Sequence, residues 1–189
     1  MARPFRLARA LLRPALSGGR RLARDEQGAT AIEFSILALP FFAIVMAIFE
    51  TALVFFAGQV LDSAVQDASR YIRTGQAQTA GFDMPKFRAA VCERLYGLFD
   101  CSQLRLKVSE VTAFANAAST TPIDPATGQW TLAESYGGGM GSSIVLVEAY
   151  YKWGVLFNFN GFRLDNTADG KRLLSAVRVF RNEPFGGGA

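Results

Sequence analysis

Histidine is absent from this sequence of 189 residues, and cysteine occurs only twice. The lack of histidine removes the side chain that most often serves as a general base and as a metal ligand. The acidic residues after the N-terminal apolar segment are scattered, and the sequence contains no G-x-S-x-G motif and no cluster with metal-ligand spacing. We therefore expect a protein that is not an enzyme, with no catalytic residue, no metal site and no cofactor.

Charge is nearly absent between residues 34 and 57, where Glu50 is the only charged residue among 24. A helix of this length would be roughly 36 Å long, enough for a hydrocarbon core of roughly 30 Å. Apolar residues then continue at helical spacing from Val60 to Ile72. The sequence predicts one long helix over 29–74, apolar first and amphipathic later, ended by Gly75.

Positive charge is concentrated before this helix. Residues 1–28 contain seven arginines against Asp25 and Glu26, a net charge of +5, whereas residues 29–189 contain 13 basic and 14 acidic residues, a net charge of −1. An arginine-rich flank beside an apolar span predicts a cytoplasmic flank and a domain across the membrane. The flank could contact anionic lipid. We do not expect nucleic acid as a partner, because the flank adjoins a membrane span and has no pattern of interleaved aromatic residues.

The sequence therefore divides into three parts: a basic cytoplasmic leader (1–28), a transmembrane and amphipathic helix (29–75) and an extracytoplasmic domain (76–189).

The junction between the leader and the apolar segment has more than one interpretation. An ordinary secretory signal fits poorly, because the apolar run is too long and no clean small-residue cleavage site follows it before Gln59. Glu33 either marks the membrane boundary in water or needs a partner, since an ionised carboxylate in the bilayer costs on the order of 2.5–3.5 kcal/mol. Cleavage after Gly28 would give Ala29 a free amine one helical turn before Glu33, so that the two charges could neutralise each other.

The segment GATAIEFSILALPFFAIVMAIFETALVF resembles a known family. A basic leader ending in Gly28, Glu33 as the fifth residue after it, Phe34 and an apolar helix resemble a type IV prepilin. More closely, they resemble the TadE/TadG-like pseudopilins (minor pilins) of the Tad, or Flp, type IVb pilus system, and TadE most of all. The resemblance is strong over 27–75; beyond it, only the layout, the cysteine pair and the closing RVFRNEPF are similar. Flp major pilins usually carry tyrosine at the position of Phe34 and are very short, so the resemblance implies a minor component.

The resemblance implies a place in Tad pilus assembly, adhesion and secretion, with processing after Gly28 by a prepilin peptidase. Ala29, Glu33 and Phe34 would lie in the window that the peptidase recognises. The implied partners are this peptidase, other Tad pilins and pseudopilins, inner-membrane platform proteins and lipid. The implied location is the inner membrane, with one span, a cytoplasmic N-terminus and a periplasmic domain, in or beside the pilus. The alternative is an uncleaved single-span protein whose periplasmic domain binds an envelope partner or ligand.

Three residues of the apolar helix are candidates for helix packing: Glu33, Pro40 and Glu50. Pro40 removes one backbone hydrogen bond and should kink the helix. On a regular helix, Glu33, Glu50 and Asp62 would lie within about 20° of a common face at 100° per residue. Either this face forms a polar stripe that contacts partner helices, or one acidic residue serves as a polar anchor and the others lie on solvated surface.

The region after residue 75 predicts a polar linker over 75–83 and then a helix over 84–99, with Asp83 as N-cap and Pro85 in the first turn. Cys92 and Cys101 would lie in an oxidising compartment, which favours a disulfide over two free thiols. A disulfide requires Cα atoms within about 7 Å, whereas an unbroken helix would separate them by about 13 Å. We therefore expect the helix to break near Gly97.

The remaining sequence predicts strands. Residues 104–111 alternate strictly, a short strand is expected at 129–133, the run after residue 142 is a strand, and 175–182 is the last. The sequence GGGMG (137–141) is interpreted as a flexible hairpin connection, because no Gly-Lys-Ser/Thr follows it. Aromatic residues between 150 and 162 are expected in the core or in a subunit contact; the alternative is a carbohydrate or surface-adhesion site. The expected fold class is α+β: a long transmembrane helix, the spine of a pilin-like protein, followed by one helix and a mainly antiparallel sheet of three or four strands.

Overall fold

The computed structural model describes residues 26–156 and 163–186. The chain forms two compact units, Met1–Ala47 and Ile48–Ala189. The expected leader and the aromatic residues Phe157, Phe159 and Phe162 lie outside the described residues. The elements are helices α1 (Glu26–Arg73), α2 (Gln76–Thr79) and α3 (Met84–Glu93), strands β1 (Arg105–Val111), β2 (Ile144–Gly154) and β3 (Lys171–Arg181), and a 3₁₀ turn at Phe114–Asn116. The α+β class is confirmed.

Helix α1 extends three residues further toward the N-terminus than the predicted start at residue 29, so Gly28 lies inside it. Pro40 is also within the helix. At the other end the helix stops at Arg73, and Gly75 has φ +80°, a backbone conformation that suits glycine. A Cβ atom at residue 75 would lie 2.5 Å from the ring of Phe185, so close packing also requires glycine there.

Helix α3 begins as the sequence predicts but ends six residues before the predicted residue 99. The Asp83 carboxylate accepts a hydrogen bond from the Lys86 backbone N–H (2.9 Å), and proline stands in the first turn. After Glu93 the chain turns, with φ +51° at Tyr96 and +72° at Gly97, so a continuing helix is impossible there. The expected linker at 75–83 contains the short helix α2, a difference from the prediction.

The turn after α3 brings the two cysteines together. Cys92 and Cys101 form a disulfide, and their Cα atoms are 6.0 Å apart. The side chain of Arg88 reaches across the same turn to donate to the carbonyls of Cys101 and Leu104, the second through a very short hydrogen bond. The disulfide therefore closes a loop that side-chain contacts also hold.

Replacing both cysteines by serine should lower the free energy of unfolding by roughly 2–3 kcal/mol, because the unfolded chain regains the entropy of the loop. The measurement is guanidinium unfolding of the full-length protein in detergent micelles, followed by the fluorescence of Trp130 and Trp153. Reducing the wild-type protein should reproduce the loss, and the same reductant should leave the serine variant unchanged. Equal stability of wild-type and variant protein would contradict the expectation.

The sheet has three antiparallel strands in the order β1-β2-β3. Val108 pairs with Val147, and Ala149 pairs with Ala176, which fixes the two registers. Strand β3 starts four residues earlier than predicted. The strand predicted at 129–133 is wrong: within the described residues this segment forms only an isolated bridge, between Ile123 and Trp130. The loop closes on itself there, because the Asp124 N–H donates to the carbonyl of Gln129 at 2.8 Å, and no longer ladder forms.

The glycine-rich segment 137–141 differs from the predicted flexible hairpin connection. The amide Nδ2 of Asn182 donates to the carbonyls of Gly138 and Met140, both at 2.9 Å, and Asn182 is buried. The side chain of Gln78 donates to the carbonyl of Gly138 as well, at 3.0 Å. Two separate parts of the chain, α2 and the residue that follows β3, therefore fix the backbone of this segment.

The core lies between the sheet and the second half of α1. Alternate residues of β2 point at the helices, so Val145, Val147 and Ala149 join the buried cluster. Helix α3 covers the same cluster with Phe87 and Val91, and Leu95 in the turn that follows also joins it. The residues of α1 in the cluster recur at helical spacing: Val54, Ala57, Leu61, Ala64, Val65, Ala68 and Ile72. The same helix that carries the apolar N-terminal segment is thus the central core element of the second unit.

Candidate membrane helix and processing region

The N-terminal part of α1 exposes apolar side chains on every side. Within Thr30–Arg73 the most apolar stretch has a mean hydropathy of 2.4, and none of it is buried. Ile36, Leu39 and Phe42 are each more than half exposed, as are most of their neighbours. A helix that is apolar all round needs an apolar environment, which lipid or other helices can supply. It is the one helix in the described part of the chain that is long and apolar enough to be a candidate membrane span.

The junction between the expected leader and the span is open on its surface. Gly28 is exposed, and a Cβ atom placed on it would meet nothing within 4 Å. Glu33 and Phe34 are both exposed, Phe34 to 68%. The hydroxyl of Ser35 donates to the carbonyl of Ala31 at 2.7 Å, a hydrogen bond within the helix. The structure therefore places Gly28, Glu33 and Phe34 within two turns of one accessible helix end.

Glu50 lies in the second unit and has a different environment. It is only 3% exposed, and its carboxylate accepts a very short hydrogen bond from the backbone N–H of Leu156, just after β2. A carboxylate removed from water requires such donors, because an unpaired charge there is costly. Glu50 therefore contacts the domain of its own chain.

Asp62 also has a partner within the chain. It forms a very short ion pair with Arg178 of β3, and each side chain is 35% exposed. Of the three acids predicted to share a face, Glu50 and Asp62 bind the sheet side of their own domain, whereas Glu33 is exposed on the first unit. Each of the three acids therefore has its own environment.

Arg178 is a residue that sequence reasoning missed. In the last strand it shares a face with Leu174 and Ala176, which are buried. The sequence did contain a signal for it, because alternate residues of a strand share a face and the two preceding residues on this face are apolar. A charged residue on such a face usually needs a partner of opposite charge. The identity of that partner, 116 residues earlier in the chain, carried no local signal.

Comparison with known proteins gives one match. Residues 28–70 match the model of a protein family described as TadE-like protein. This segment is similar to TadE-like proteins and is called the TadE-like segment. No curated protein and no solved structure matches the chain.

The TadE-like segment begins at Gly28 and ends at Arg70, in the last turn of α1. It therefore contains the exposed junction, most of the candidate span, and Glu50 and Asp62, the two acids that contact residues after β2 and in β3. The match supports a component associated with the Tad pilus, and the candidate span is consistent with a single-pass membrane protein. Strands β1 to β3 and the disulfide lie outside the TadE-like segment. Across the described residues, no three histidine, cysteine, aspartate or glutamate side chains are grouped to hold a metal ion.

Proposed function

We propose that this protein is a minor pseudopilin-like component of Tad pilus assembly and secretion, and that a prepilin peptidase processes it after Gly28. The observation that carries the proposal is the TadE-like match that starts at Gly28 and includes the exposed Glu33 and Phe34. The proposed setting is the inner membrane, with the leader in the cytoplasm and the sheet domain in the periplasm.

Cleavage requires that the chain around Gly28 leave the helical conformation and enter the peptidase as an extended segment. Glycine in a helix costs about 1 kcal/mol relative to alanine, so the helix is intrinsically weak at this residue. Its open surroundings also let an enzyme approach the backbone without displacing other side chains. These two properties favour Gly28 as the residue before the scissile bond.

Glu33 has two proposed roles. Before cleavage it lies in the window that the peptidase recognises. After cleavage the new ammonium group of Ala29 would lie one helical turn from the Glu33 carboxylate, within one subunit or between neighbours. An ion pair would then carry both charges into an apolar assembly, in which neither is stable alone. In this proposal Pro40 shapes the packing of the assembled helices.

The size of the folded domain supports a minor role. The 114 residues after Gly75 include a disulfide and three strands, which share a core with the second half of α1. Flp major pilins, which the sequence resembles less, are very short. A domain of this size would be presented by few subunits or kept at the membrane platform, where other Tad proteins are the proposed partners.

Replacing Glu33 by alanine or by glutamine should impair both processing and pilus assembly. Without the carboxylate, an Ala29 ammonium would enter the membrane assembly unpaired at a cost on the order of 2.5–3.5 kcal/mol. That cost corresponds to roughly 100-fold lower incorporation. The measurements are a pulse-chase immunoblot for the shortened product and a count of pili by electron microscopy.

The matched control for this experiment is Glu26→Gln, which removes a carboxylate on the leader side of the proposed cleavage site. It should leave the product and the pili unchanged, because residue 26 would be discarded with the leader. Normal processing and normal pili in both Glu33 variants would overturn the two roles proposed for Glu33.

A further inference from the structure

Strand β3 forms one edge of the sheet. Within residues 26–156 and 163–186, β3 pairs along its length with β2 alone. The Asn182 N–H donates toward β2, to the carbonyl of Ser143 at 2.8 Å, whereas the Leu173 N–H donates away from it, to Asn166 Oδ1 at 2.7 Å. Because successive backbone groups in a strand point in opposite directions, the odd-numbered residues of β3 face away from β2.

The backbone N–H and C=O groups of Ser175, Val177 and Val179 therefore line an open edge. Unpaired strand edges are templates for the addition of another strand, and proteins usually cover, shorten or charge them. In β3 the edge is eleven residues long and contains no proline. The chain itself covers both ends of this edge: at the start the Lys171 carbonyl accepts from the Asn166 N–H at 3.0 Å, and past the last residue the Glu183 N–H donates to the carbonyl of Arg73 at 2.8 Å. The backbone between them, at residues 175–179, makes no such contact on this side within the described residues.

A groove runs between this edge and helix α1. One part, of about 380 Å³, is lined by residues 66–73 of α1 and 178–180 of β3. A second part, of about 350 Å³, is lined by residues 51–62 of α1 and the start of β3. Arg178 lines the first part of the groove and Asp62 lines the second, so the ion pair between them lies where the two parts meet.

The groove and the edge carry a net positive charge, although Asp62 and Asp67 also line the groove. Strand β3 has four basic residues and no acidic one: Lys171, Arg172, Arg178 and Arg181. Beside it on α1, the side chain of Arg70 makes no hydrogen bond or ion pair within the described chain. Arg73 has only a 3.9 Å contact with Glu183, and both side chains are more than half exposed, so this pair is weak.

Two polar atoms beside the groove also lack partners in the described part of the chain. They are the hydroxyl oxygen of Ser69, which is 4% exposed, and Nε of Arg178. Buried polar atoms normally have a hydrogen-bond partner, so each unpaired one needs an explanation. An Nε–H group donates, and a serine hydroxyl can donate as well, so both suit an oxygen acceptor such as a carboxylate.

We propose that an extended, acidic segment of a partner protein adds to the sheet along the open edge of β3, with its carboxylates on Arg70 and Arg73. Main-chain hydrogen bonds would fix the register of the added strand against β3, and the positive charge of the groove would select partner segments with acidic side chains. A second copy of β3 is a poor occupant, because antiparallel pairing would place basic residues against basic residues. The proposal does not depend on cleavage after Gly28.

The test uses the full chain in nanodiscs of phosphatidylcholine, a lipid with no net charge. The probe is a fluorescent peptide of about six residues, the usual length of a strand, that alternates glutamate with valine. We expect binding by fluorescence anisotropy and slower hydrogen exchange at the amides of Val177 and Val179. The R70Q/R73Q double variant should bind roughly tenfold more weakly, because two charges that meet the peptide are lost.

Two controls separate strand addition from simple charge attraction. R105Q removes an arginine from the opposite edge of the sheet and should not change the affinity. An acidic peptide with prolines in place of the valines cannot form the main-chain ladder, and it should neither bind as tightly nor protect the β3 amides. Equal binding of the proline peptide or of a lysine-containing peptide, or unprotected β3 amides in the bound state, would overturn the proposal.

Discussion

Replacing Phe87 by alanine should lower the free energy of unfolding by about 3–5 kcal/mol, one of the largest losses expected for a single substitution in this chain. Phe87 is completely buried in α3, and its ring centroid lies 5.7 Å from that of Tyr136. Helix α3 has only ten residues and presents few other side chains to the core. A cavity at residue 87 would therefore loosen the whole helix from the sheet.

The measurement is guanidinium unfolding of the full-length protein in detergent micelles, followed by tryptophan fluorescence. Phe114→Ala is the matched control, because Phe114 is 53% exposed and should cost less than about 1 kcal/mol. Phe87→Leu should lie between the control and the alanine variant. If Phe87→Ala and Phe114→Ala cost the same, the packing of α3 described here is wrong.

Replacing Glu148 by alanine should also cost about 3–5 kcal/mol, although the residue is charged and sits in the middle of a strand. Glu148 is fully buried on the face of β2 that points away from the helices. Its carboxylate accepts hydrogen bonds from the Thr120 N–H at 2.6 Å and the Tyr150 hydroxyl at 2.9 Å. Truncation would leave the Thr120 N–H without its acceptor and Lys107, 3.9 Å away, without its counter-charge, while the Tyr150 hydroxyl would keep only the Thr120 carbonyl at 3.0 Å.

Burial and the bond to Glu148 raise the pKa of the Tyr150 hydroxyl, so it remains a donor throughout the neutral range. Glu148→Gln should recover part of the loss, because the amide oxygen can still accept one of these hydrogen bonds. Glu93→Ala, on the exposed side of α3, is the control and should change stability by less than about 0.5 kcal/mol. A Glu148→Ala variant as stable as this control would contradict the proposed network.

The parts of the fold that local patterns determine were predicted from the sequence. The long helix followed from one apolar run joined to residues at helical spacing, and Asp83 marked the start of α3. The break in α3 could be anticipated because two cysteines nine residues apart cannot bond across an intact helix. Its position, at Glu93, depended on backbone angles at Tyr96 and Gly97 that the apolar spacing does not encode.

Long-range contacts were the part that the sequence did not reveal. The apolar run of β2 predicts a buried strand, but it gives no partner for Glu148, which binds a loop residue 28 positions earlier. Asp62 was assigned to the helix surface by periodicity, and its pairing with Arg178 depends on how the sheet packs on the helix. The segment 129–133 has strand-like residues but lacks a neighbouring strand, so a loop forms instead.

The candidate processing region was recognised from order along the chain: basic residues, glycine, a carboxylate and an apolar helix. In the structure the glycine, the carboxylate and the first apolar residues lie together in an exposed junction at the start of α1. The proposed partner of Glu33 is the Ala29 ammonium group, which exists only after cleavage and belongs either to the same subunit or to a neighbour. For this reason the role of Glu33 is a proposal, whereas the sites of Glu50 and Asp62 follow from the fold.

The most direct test of the proposed function is the mature N-terminus. The protein would be isolated from membranes of cells with and without the matching prepilin peptidase and analysed by intact mass and N-terminal sequencing. The proposal predicts a product that begins at Ala29 when the peptidase is present and the full-length chain when it is absent. A full-length chain in both samples would contradict the proposal and favour an uncleaved, single-span protein whose domain binds a partner in the envelope.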